Sequence, residues 1–366
     1  MKIATILGTR PEIIRLSKVI ERLDRLCDHQ LVHTGQNYDP NLSDVFFAEL
    51  GVRMPDRFWG VRGGCFSDQI AEIIRRAGEY FAEERPDRIL ILGDTNSGLA
   101  AMVAARMRIP VYHMEAGNRC YDDRVPEEIN RRVIDHCSDV LMPYTQRSKE
   151  NLIREGVARN RIFVTGNPIW EVIQANRQRI EASDVLARMG LSENGYFVVT
   201  MHRAENVDDP RRLASLLAGL DAVAERFDAP VVVSLHPRTA DKIAKNGLAP
   251  KSTLVRFLTP LGFFDFVRLE QGALCAMTDS GTVQEEATLL QVPNVILRDT
   301  TERAECLEAG SGILSGADPG QILRAAEAAI DAGRDWIPPS EYLQTNVSAA
   351  VASIVIGHQT RIERAA

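Results

Sequence analysis

Short apolar runs alternate with longer amphipathic segments along most of the chain. This alternation predicts parallel strands joined by helical crossovers, and runs that are apolar throughout indicate strands covered on both faces. The strands predicted in the first half are Ile3–Gly8, Gln30–Thr34, Arg88–Leu92, Val111–Met114, Val140–Pro143 and Ile162–Thr165. The helices predicted between them are Ile13–Leu26, Asp68–Glu84, Leu99–Met107 and Glu127–His136. In the second half the predicted strands are Tyr196–Thr200, Val231–Leu235, Leu254–Leu258, Ala273–Thr278 and Val295–Leu297.

The same alternation occurs twice, which predicts an α/β protein with two doubly wound domains. A length of 366 residues is consistent with about two domains. The turn-rich Gly166-Asn167-Pro168 marks the boundary that we predict. We therefore expect an N-terminal domain of residues 1–167, a C-terminal domain of residues 168–345, and a final segment, 346–366, whose helix packs back on the first domain.

Composition narrows the function classes. The net charge of −7 argues against general nucleic-acid binding, which depends on basic surfaces. The six cysteines are scattered without a C-x-x-C pair, which is typical of a reducing compartment. The chain has neither a signal-peptide pattern at its start nor an apolar run near the roughly 20 residues that span a membrane, so we expect a cytoplasmic protein. It also has no phosphate loop, no G-x-G-x-x-G motif and no convincing metal-ligand spacing, and we expect neither nucleotide cofactor nor metal.

Polar residues directly follow the predicted strands of the first half. Ligands of open parallel sheets bind outside the carboxyl ends of the strands. Arg10 follows the first strand at a helix N-terminus, which favours an anion. Asp94 and Glu115 follow two consecutive strands, and Glu127 or Glu128 lies in a helical first turn. Taken alone, Asp94 is more typical of a helix N-cap, and Glu127 and Glu128 are more typical of ordinary first-turn stabilisation. Together they indicate groups that act as acid and base in one crevice.

The second half supplies cations and hydrogen-bond donors at its strand ends. His202 and Arg203 follow one strand and His236 the next, a pattern that suits a phosphate or its protonation. Ser280 and Gly281 open a helix whose free N–H groups can hold phosphate oxygens. The alternative is that Ser280 and Gly281 only begin a solvent-exposed helix and bind no ligand. Glu285 or Glu286 and the cluster around Arg303 complete a predicted cleft with carboxylates on one domain and anion-binding groups on the other.

Eight motifs occur in the order and with the spacing of one enzyme family. They are Gly8-Thr9-Arg10-Pro11-Glu12, Gly93-Asp94-Thr95, His113-x-Glu115-Ala116-Gly117, Pro126-Glu127-Glu128-x-Asn130-Arg131, Val164-Thr165-Gly166-Asn167, His202-Arg203-x-Glu205-Asn206, Thr278-Asp279-Ser280-Gly281 and Arg298-Asp299-Thr300-Thr301-Glu302-Arg303. With them, the chain resembles the non-hydrolysing UDP-N-acetylglucosamine 2-epimerase family from residue 3 to about residue 315. The resemblance implies two Rossmann-like domains facing a cleft in the glycosyltransferase-B arrangement, usually a homodimer, without metal or nicotinamide. It also implies a reaction in which UDP leaves as the C2 proton is lost, and then re-adds to a glycal.

The resemblance also implies roles for individual residues. Asp94, Glu115 and Glu127 correspond to the acid/base carboxylates, and His202 to the essential histidine near the diphosphate. The nucleotide-binding positions are Arg10, Ser280, Gly281, Glu286 and Arg303, with Phe266 near the uracil.

Some positions depart from the family pattern. Arg15, which we expect to bind the substrate, replaces the common lysine of the first helix, and Ala204 replaces an arginine after His-Arg. Residues 33–39 differ from the segment linked to a regulatory second UDP-sugar. Together with Asn118-Arg119-Cys120, these features resemble the branch that forms UDP-N-acetyl-L-fucosamine from a UDP-N-acetyl-L-talosamine-type sugar.

Three other functions remain open at the level of sequence. A glycosyltransferase of the same architecture uses a UDP-sugar donor but also needs an acceptor. A hydrolysing epimerase releases UDP and free N-acetylmannosamine. A non-catalytic sensor binds a UDP-sugar without exchanging its C2 proton.

Overall fold

The structure is a computed structural model that describes residues 1–36, 40–63 and 65–360, without the side chains of residues 40–43. The chain forms two compact units. Unit 1 comprises Met1–Ala175 and the chain from Glu341 onward, and unit 2 comprises Asn176–Ser340. The predicted limits at residues 167 and 345 stay predictions, and residues 361–366 of the predicted last segment lie outside the described part.

Unit 1 contains a sheet of six described strands, all paired in parallel, in the order β3-β2-β1-β4-β5-β6. This is the order of a dinucleotide-binding Rossmann sheet. Its strands are β1 (Lys2–Leu7), β2 (Asp28–His33), β3 (Arg57–Phe58), β4 (Arg88–Leu92), β5 (Val111–Met114) and β6 (Val140–Met142). Its helices are α1 (Arg10–Leu26), α2 (Pro40–Leu50), α3 (Phe66–Glu84), α4 (Ala100–Arg106), α5 (Pro126–Cys137), α6 (Gln146–Arg154), α7 (Ile169–Ala175) and, at the end of the chain, α17 (Val347–Gly357).

Unit 2 repeats this topology in the strand order β12-β11-β10-β7-β8-β9, again with parallel pairing. Its strands are β7 (Phe197–Met201), β8 (Val231–Leu235), β9 (Val255–Leu258), β10 (Cys275–Thr278), β11 (Asn294–Ile296) and β12 (Gly312–Leu314). Its helices are α8 (Arg177–Glu181), α9 (Val185–Met189), α10 (Ala204–Val207), α11 (Pro210–Phe227), α12 (Pro237–Lys245), α13 (Phe263–Gln271), α14 (Gly281–Leu289), α15 (Ala304–Glu308) and α16 (Pro319–Asp331). The predicted fold class, α/β with two Rossmann-like domains, is confirmed.

The cores follow from the apolar strands. In unit 1, β1, β4 and β5 present Ile6, Ile91 and Val111 to one cluster with apolar side chains of α3 and α4. In unit 2, β7 and β8 meet α11 and α16 in a second cluster. Helices cover both faces of the central strands. The polar residues that follow these strands therefore lie at the carboxyl ends of the sheets.

Most predicted strands lie within two residues of an observed strand at each end. The predicted strand Ile162–Thr165 is wrong, because only the single bridge from Leu141 to Ile162 forms there. Gly166 follows with a φ of +85°, a left-handed conformation that turns the chain away from the sheet. The sequence reading missed β3 and β12, which have only two and three residues.

Helix α17 lies against α1 within unit 1. Val347, Val351, Ala352 and Val355 are buried along one side of it. Arg88 of β4 donates to the carbonyl oxygen of Ile356 at 2.9 Å. No helix among the described residues combines the length and apolar character needed to cross a bilayer.

Candidate active site

The strand order of each unit locates its candidate site. In unit 1, β1 and β4 are neighbours from which the chain proceeds in opposite directions, and in unit 2 the same holds for β7 and β10. Such switch points are where open α/β sheets bind ligands. The segments after these four strands carry Arg10, Asp94, His202 and Ser280. The structure therefore places predicted site residues at both switch points.

Glu12 connects the loops after β1 and β4. Its buried carboxylate accepts hydrogen bonds from the backbone N–H groups of Gly8 at 2.9 Å and Thr9 at 2.7 Å. The Thr95 hydroxyl, next to Asp94, donates to its other oxygen at 3.0 Å. Burial raises the pKa of Glu12 to about 7, although these hydrogen bonds lower it. The sequence reading assigned Glu12 only to a helix start and missed this connection.

Gly8 allows the loop after β1 to lie close to the loop after β4. A Cβ at this position would lie 2.1 Å from the hydroxyl oxygen of Ser97 and 2.3 Å from that of Thr34. These distances are far below van der Waals contact, so no larger residue fits without rearrangement.

Glu115 is a buried carboxylate held from three sides. Nη1 of Arg15 donates to it at 2.6 Å, the Tyr144 hydroxyl at 3.2 Å and the Asn118 amide at 3.2 Å. Arg15, a predicted substrate-binding residue, is thus the ion-pair partner of Glu115 within unit 1. The backbone of Glu115 has a φ of +64°, a strained conformation for a residue with a side chain.

Asp94 and Glu115 belong to adjacent loops. The Gly93 N–H donates to the carbonyl oxygen of Met114 at 3.0 Å. A Cβ placed on Gly93 would lie 3.7 Å from a carboxylate oxygen of Glu115. The prediction that consecutive strand ends bring these acidic segments together is therefore matched by the geometry of unit 1.

Helix α5 holds the Asp94 loop. Nη2 of the buried Arg131 lies 2.8 Å from a carboxylate oxygen of Asp94, and the Asn130 amide donates to the Asp94 carbonyl at 3.1 Å. Glu127, on the first turn of α5, is half-buried. Its neighbour Glu128 is buried and accepts from the N–H of Cys120 at 3.0 Å. Glu128 therefore has a role in fixing the loop after Glu115.

Arg10 begins α1 at the switch point of unit 1. Its guanidinium lies 5.8 Å from the centre of the Phe46 ring. Burial lowers the pKa of Arg10 from its usual value. Residues 37–39 of the nearby segment that departs from the family pattern lie outside the described residues.

Asp279 organises the loop after β7 in unit 2. Its carboxylate accepts from the N–H groups of His202 and Arg203, each at 3.0 Å, and from the Asn206 amide at 3.0 Å. The imidazole of His202 lies beside that of His236, with ring centres 5.5 Å apart. The two strand-end histidines predicted to bind anions are therefore neighbours. The sequence reading placed Asp279 in a motif but gave it no role.

The start of α14 lies against two buried ion pairs. A Cβ on Gly281 would lie 2.8 Å from a carboxylate oxygen of Glu302 and 3.5 Å from the guanidinium carbon of Arg303. Arg303 pairs with Glu285, and Arg298 donates to Glu302 at 2.7 Å. The structure thus brings the predicted residues Ser280, Gly281 and Arg303 together at one helix N-terminus, where N–H groups favour an anion.

Glu286 lies further along α14, next to Glu270 of α13. Both carboxyl groups are buried. Burial, and then the neighbouring Glu286, raise the pKa of Glu270 well above its usual value. Phe266, the residue predicted near uracil, lies half-buried one turn earlier on α13. No sequence signal marked Glu270, because an isolated glutamate in a helix is usually exposed.

No group of three or more His, Cys, Asp or Glu side chains in the described ranges is arranged to hold a metal ion.

Comparison with known proteins identifies the family. The model of the UDP-N-acetylglucosamine 2-epimerase family matches residues 21–356. The chain belongs to this family. Its predicted enzyme class, isomerase, is confirmed by that membership.

Two relatives and one solved structure illustrate the similarity. The chain is 38% identical over 347 residues to the UDP-N-acetylglucosamine 2-epimerase of Methanocaldococcus jannaschii, covering 93% of this chain and 95% of the relative. It is 36% identical to the UDP-2,3-diacetamido-2,3-dideoxy-D-glucuronate 2-epimerase of Pseudomonas aeruginosa, covering 90% and 92%. A crystal structure of the M. jannaschii epimerase in complex with UDP-GlcNAc and UDP has a TM-score of 0.93 and 36% identity, covering 97% of this chain and 99% of that one.

Proposed function

We propose that this protein inverts C2 of a UDP-2-acetamido sugar without net hydrolysis. The observation that carries the proposal is the pair of adjacent acidic loops in unit 1. Arg131 lies 2.8 Å from the carboxylate of Asp94, and Arg15 lies 2.6 Å from that of Glu115. A C2 proton is weakly acidic, so its removal requires a positioned base, and its return to the opposite face requires a second proton-handling group.

In the proposed reaction, a carboxylate of unit 1 takes the C2 proton. The electrons of the C2–H bond form a C1=C2 double bond, and the C1–O bond breaks with its electron pair on UDP. In the reverse step, UDP re-adds at C1 while a proton is delivered to C2 from the other face. Asp94, Glu115 and Glu127 are the groups to which we assign these two proton transfers.

Unit 2 supplies the groups that we assign to the nucleotide. His202, Arg203 and Arg303 provide positive charge or a proton for the departing diphosphate, and Ser280 and Gly281 provide helix N–H groups. His236 lies beside His202 and supports the same role. For Glu286 we propose contact with the ribose hydroxyls, and for Phe266 contact with the uracil. Arg10 adds positive charge at the switch point of unit 1.

The sugar is the open part of the proposal. The relatives of this chain are named for UDP-N-acetylglucosamine and for UDP-2,3-diacetamido-2,3-dideoxy-D-glucuronate. Arg15 and Ala204 depart from the family pattern. They favour a third candidate substrate, UDP-2-acetamido-2,6-dideoxy-L-talose, which is the precursor of UDP-L-FucNAc. We propose a homodimer, on the basis of the family resemblance, and a cytoplasmic location, on the basis of the sequence.

Proton NMR in D2O tests the reaction. The purified protein is incubated separately with each of the three UDP-sugars and no acceptor. We expect a C2 epimer that remains linked to UDP, with deuterium at C2, for at least one of them. The Asp123→Asn variant is the control, because Asp123 is an exposed carboxylate of the same region and should leave turnover unchanged.

Each alternative gives a different result. Free N-acetylmannosamine with UDP identifies a hydrolysing epimerase. Reaction only after an acceptor is added identifies a glycosyltransferase. Binding of UDP-sugar without deuterium at C2 identifies a sensor. Any of these results would overturn the proposal.

A further inference from the structure

His113 is a buried histidine that the proposed reaction does not use directly. It lies on β5, two residues before Glu115, and its exposed fraction is 0%. Its Nε2 atom lies 2.8 Å from the carbonyl oxygen of Gly93, and its Nδ1 atom lies 2.9 Å from a carboxylate oxygen of Asp135 on α5. Asp135 is also completely buried.

The two partners determine where the hydrogens lie. A carbonyl oxygen accepts hydrogen bonds and cannot donate them, and an ionised carboxylate also only accepts. Both ring nitrogens must therefore carry a hydrogen if Asp135 is ionised, and the ring is then an imidazolium. Although burial raises the pKa of Asp135, the hydrogen bond from His113 and the nearby positive charges lower it below its usual value.

The pair fastens the two loops that carry the acidic residues. Through Gly93, His113 contacts the loop of Asp94. Through its second oxygen, Asp135 accepts from the N–H of Gly117 at 3.2 Å, in the loop of Glu115. Gly117 has a φ of +79° and Glu115 a φ of +64°, conformations that persist only where surrounding contacts impose them.

We propose that His113 is a positioning residue that donates a hydrogen bond from each ring nitrogen, and that its contacts with Gly93 and Asp135 hold the Asp94 and Glu115 loops in register for proton transfer. The part concerning proton transfer rests on the proposed function. The part concerning the hydrogens of the ring rests only on the contacts in unit 1.

The charged groups around the pair are consistent with a buried cation and anion. Arg119 lies 2.8 Å from Asp135 and 2.6 Å from Glu155, which follows α6. His136, also on α5, lies 3.7 Å from Glu155. Glu115 is already paired with Arg15. The Gly93 carbonyl, in the loop after β4, faces the His113 ring. Asp135 thus shares its charge between two cations, and the cluster remains nearly neutral in total.

His29 provides a matched comparison in the same unit. It is also a buried strand histidine with a carboxylate at Nδ1, Asp24, at 2.6 Å. Its Nε2 atom, however, lies 2.8 Å from the hydroxyl of Thr5, which can donate to an unprotonated nitrogen. Burial lowers the pKa of His29. His29 can therefore be neutral, whereas a neutral His113 beside an ionised Asp135 would lose a hydrogen bond.

Nitrogen-15 NMR of the histidine side chains tests the charge. The His113 signals are assigned by their absence in His113→Gln, and those of His29 by their absence in His29→Asn. We expect the signals of His113 to show a hydrogen on both ring nitrogens at pH 7, as the two acceptor contacts require, and the His29 ring to be neutral at pH 8. A neutral imidazole spectrum for His113 at pH 7 would overturn the proposal, whether or not the protein is an epimerase.

Steady-state kinetics tests the positioning role. In His113→Gln the amide can replace the donor to Gly93 but not the charge, and in Asp135→Asn the anion is lost while the shape is kept. We expect kcat to fall about 10²-fold in both, as misplacement of reacting groups does, with UDP affinity changed less than threefold. His29→Asn should keep kcat within about threefold of the wild type. Equal kcat losses in His113→Gln and His29→Asn would refute the positioning role, and an inactive wild type would instead refute the proposed function.

Discussion

At the scale of single residues, each of two proposed proton carriers lies against a buried arginine. Arg15 pairs with Glu115 and Arg131 with Asp94. An arginine at hydrogen-bond distance favours the ionised form of a carboxylate, which is the form that a base requires. The same contacts fix the direction of each carboxylate, because the guanidinium is itself buried. The sequence placed Asp94 and Glu115 at strand ends but could not reveal these pairs, since the partners are far away along the chain.

Asp94→Asn and Glu115→Gln should each lower kcat by about 10²–10⁴-fold, because acid/base groups contribute on this order. UDP affinity, measured by calorimetry, should change much less, since we assign the nucleotide to unit 2. Asp123→Asn is the control for removing a carboxylate from the same region. If both site variants turned over at the rate of the control, these residues would not carry the proton.

Glu12 should make stability depend on pH. Its pKa in the folded protein is raised from 4.5 to about 7. Between these values the folded state binds more protons than the unfolded state, so the free energy of unfolding falls as pH rises. The change amounts to about 3 kcal/mol at most.

Urea unfolding at several pH values between 4.5 and 7 measures this effect. Glu12→Gln cannot titrate, and its amide oxygen can still accept a hydrogen bond from the Gly8 N–H or the Thr95 hydroxyl. We therefore expect a flatter pH dependence than in the wild type. The hypothesis fails if the two proteins show the same slope.

At the scale of elements, strand ends were predictable where an apolar run meets a polar turn. Arg88–Leu92, Val111–Met114 and Val231–Leu235 are observed with the predicted bounds. The short β3 was missed because Arg57 and Phe58 are both exposed and form no apolar run. The predicted strand at Ile162–Thr165 was wrong because an apolar run does not specify whether a neighbour pairs with it along its whole length. The local pattern of apolar and polar residues thus located the candidate site better than it located the strands at the edges of the sheets.

The turns after the strands depend on glycines that differ in their surroundings. Gly117 has a φ of +79°, and a Cβ there would lie 2.2 Å from the carbonyl oxygen of Ser148. Gly156 has a φ of +89°, but nothing lies within 4 Å of its Cβ position. The first glycine is required by both conformation and space, and the second by conformation alone.

Gly156→Ala should therefore lower the free energy of unfolding by about 1 kcal/mol, the cost of a left-handed alanine. Gly117→Ala should lower it by about 3 kcal/mol or more, because the backbone of α6 must also move. Chemical unfolding of the two variants gives the difference directly. Equal losses would mean that the loop after Glu115 accommodates the extra methyl group freely.

At the scale of the whole molecule, the chain completes unit 1 only at its end. After unit 2, it returns at Glu341, and α17 covers a face of α1. Arg22 of α1 donates to the Ser348 hydroxyl at 2.7 Å, and Tyr112 of β5 donates to the carbonyl of His358 at 2.6 Å. A strand next to the proposed acidic loops is thus tied to the last helix. The sequence pattern indicated a helix here, but it could not show which face of the helix is buried, because that face is set by the contact with α1.

Val351→Asp should destabilise the protein strongly, because Val351 is completely buried in α17. An aspartate there places a charge among apolar side chains, at a cost of several kcal/mol, about as large as that of the most damaging single substitutions. Ser353→Asp is the matched control, since Ser353 is exposed on the same helix and takes the same charge into water. Thermal unfolding should show a large fall in Tm for the first variant and little change for the second, because helix propensity changes similarly in both. If the two variants unfolded at the same temperature, α17 would contribute nothing to unit 1, and the return of the chain would have no structural role.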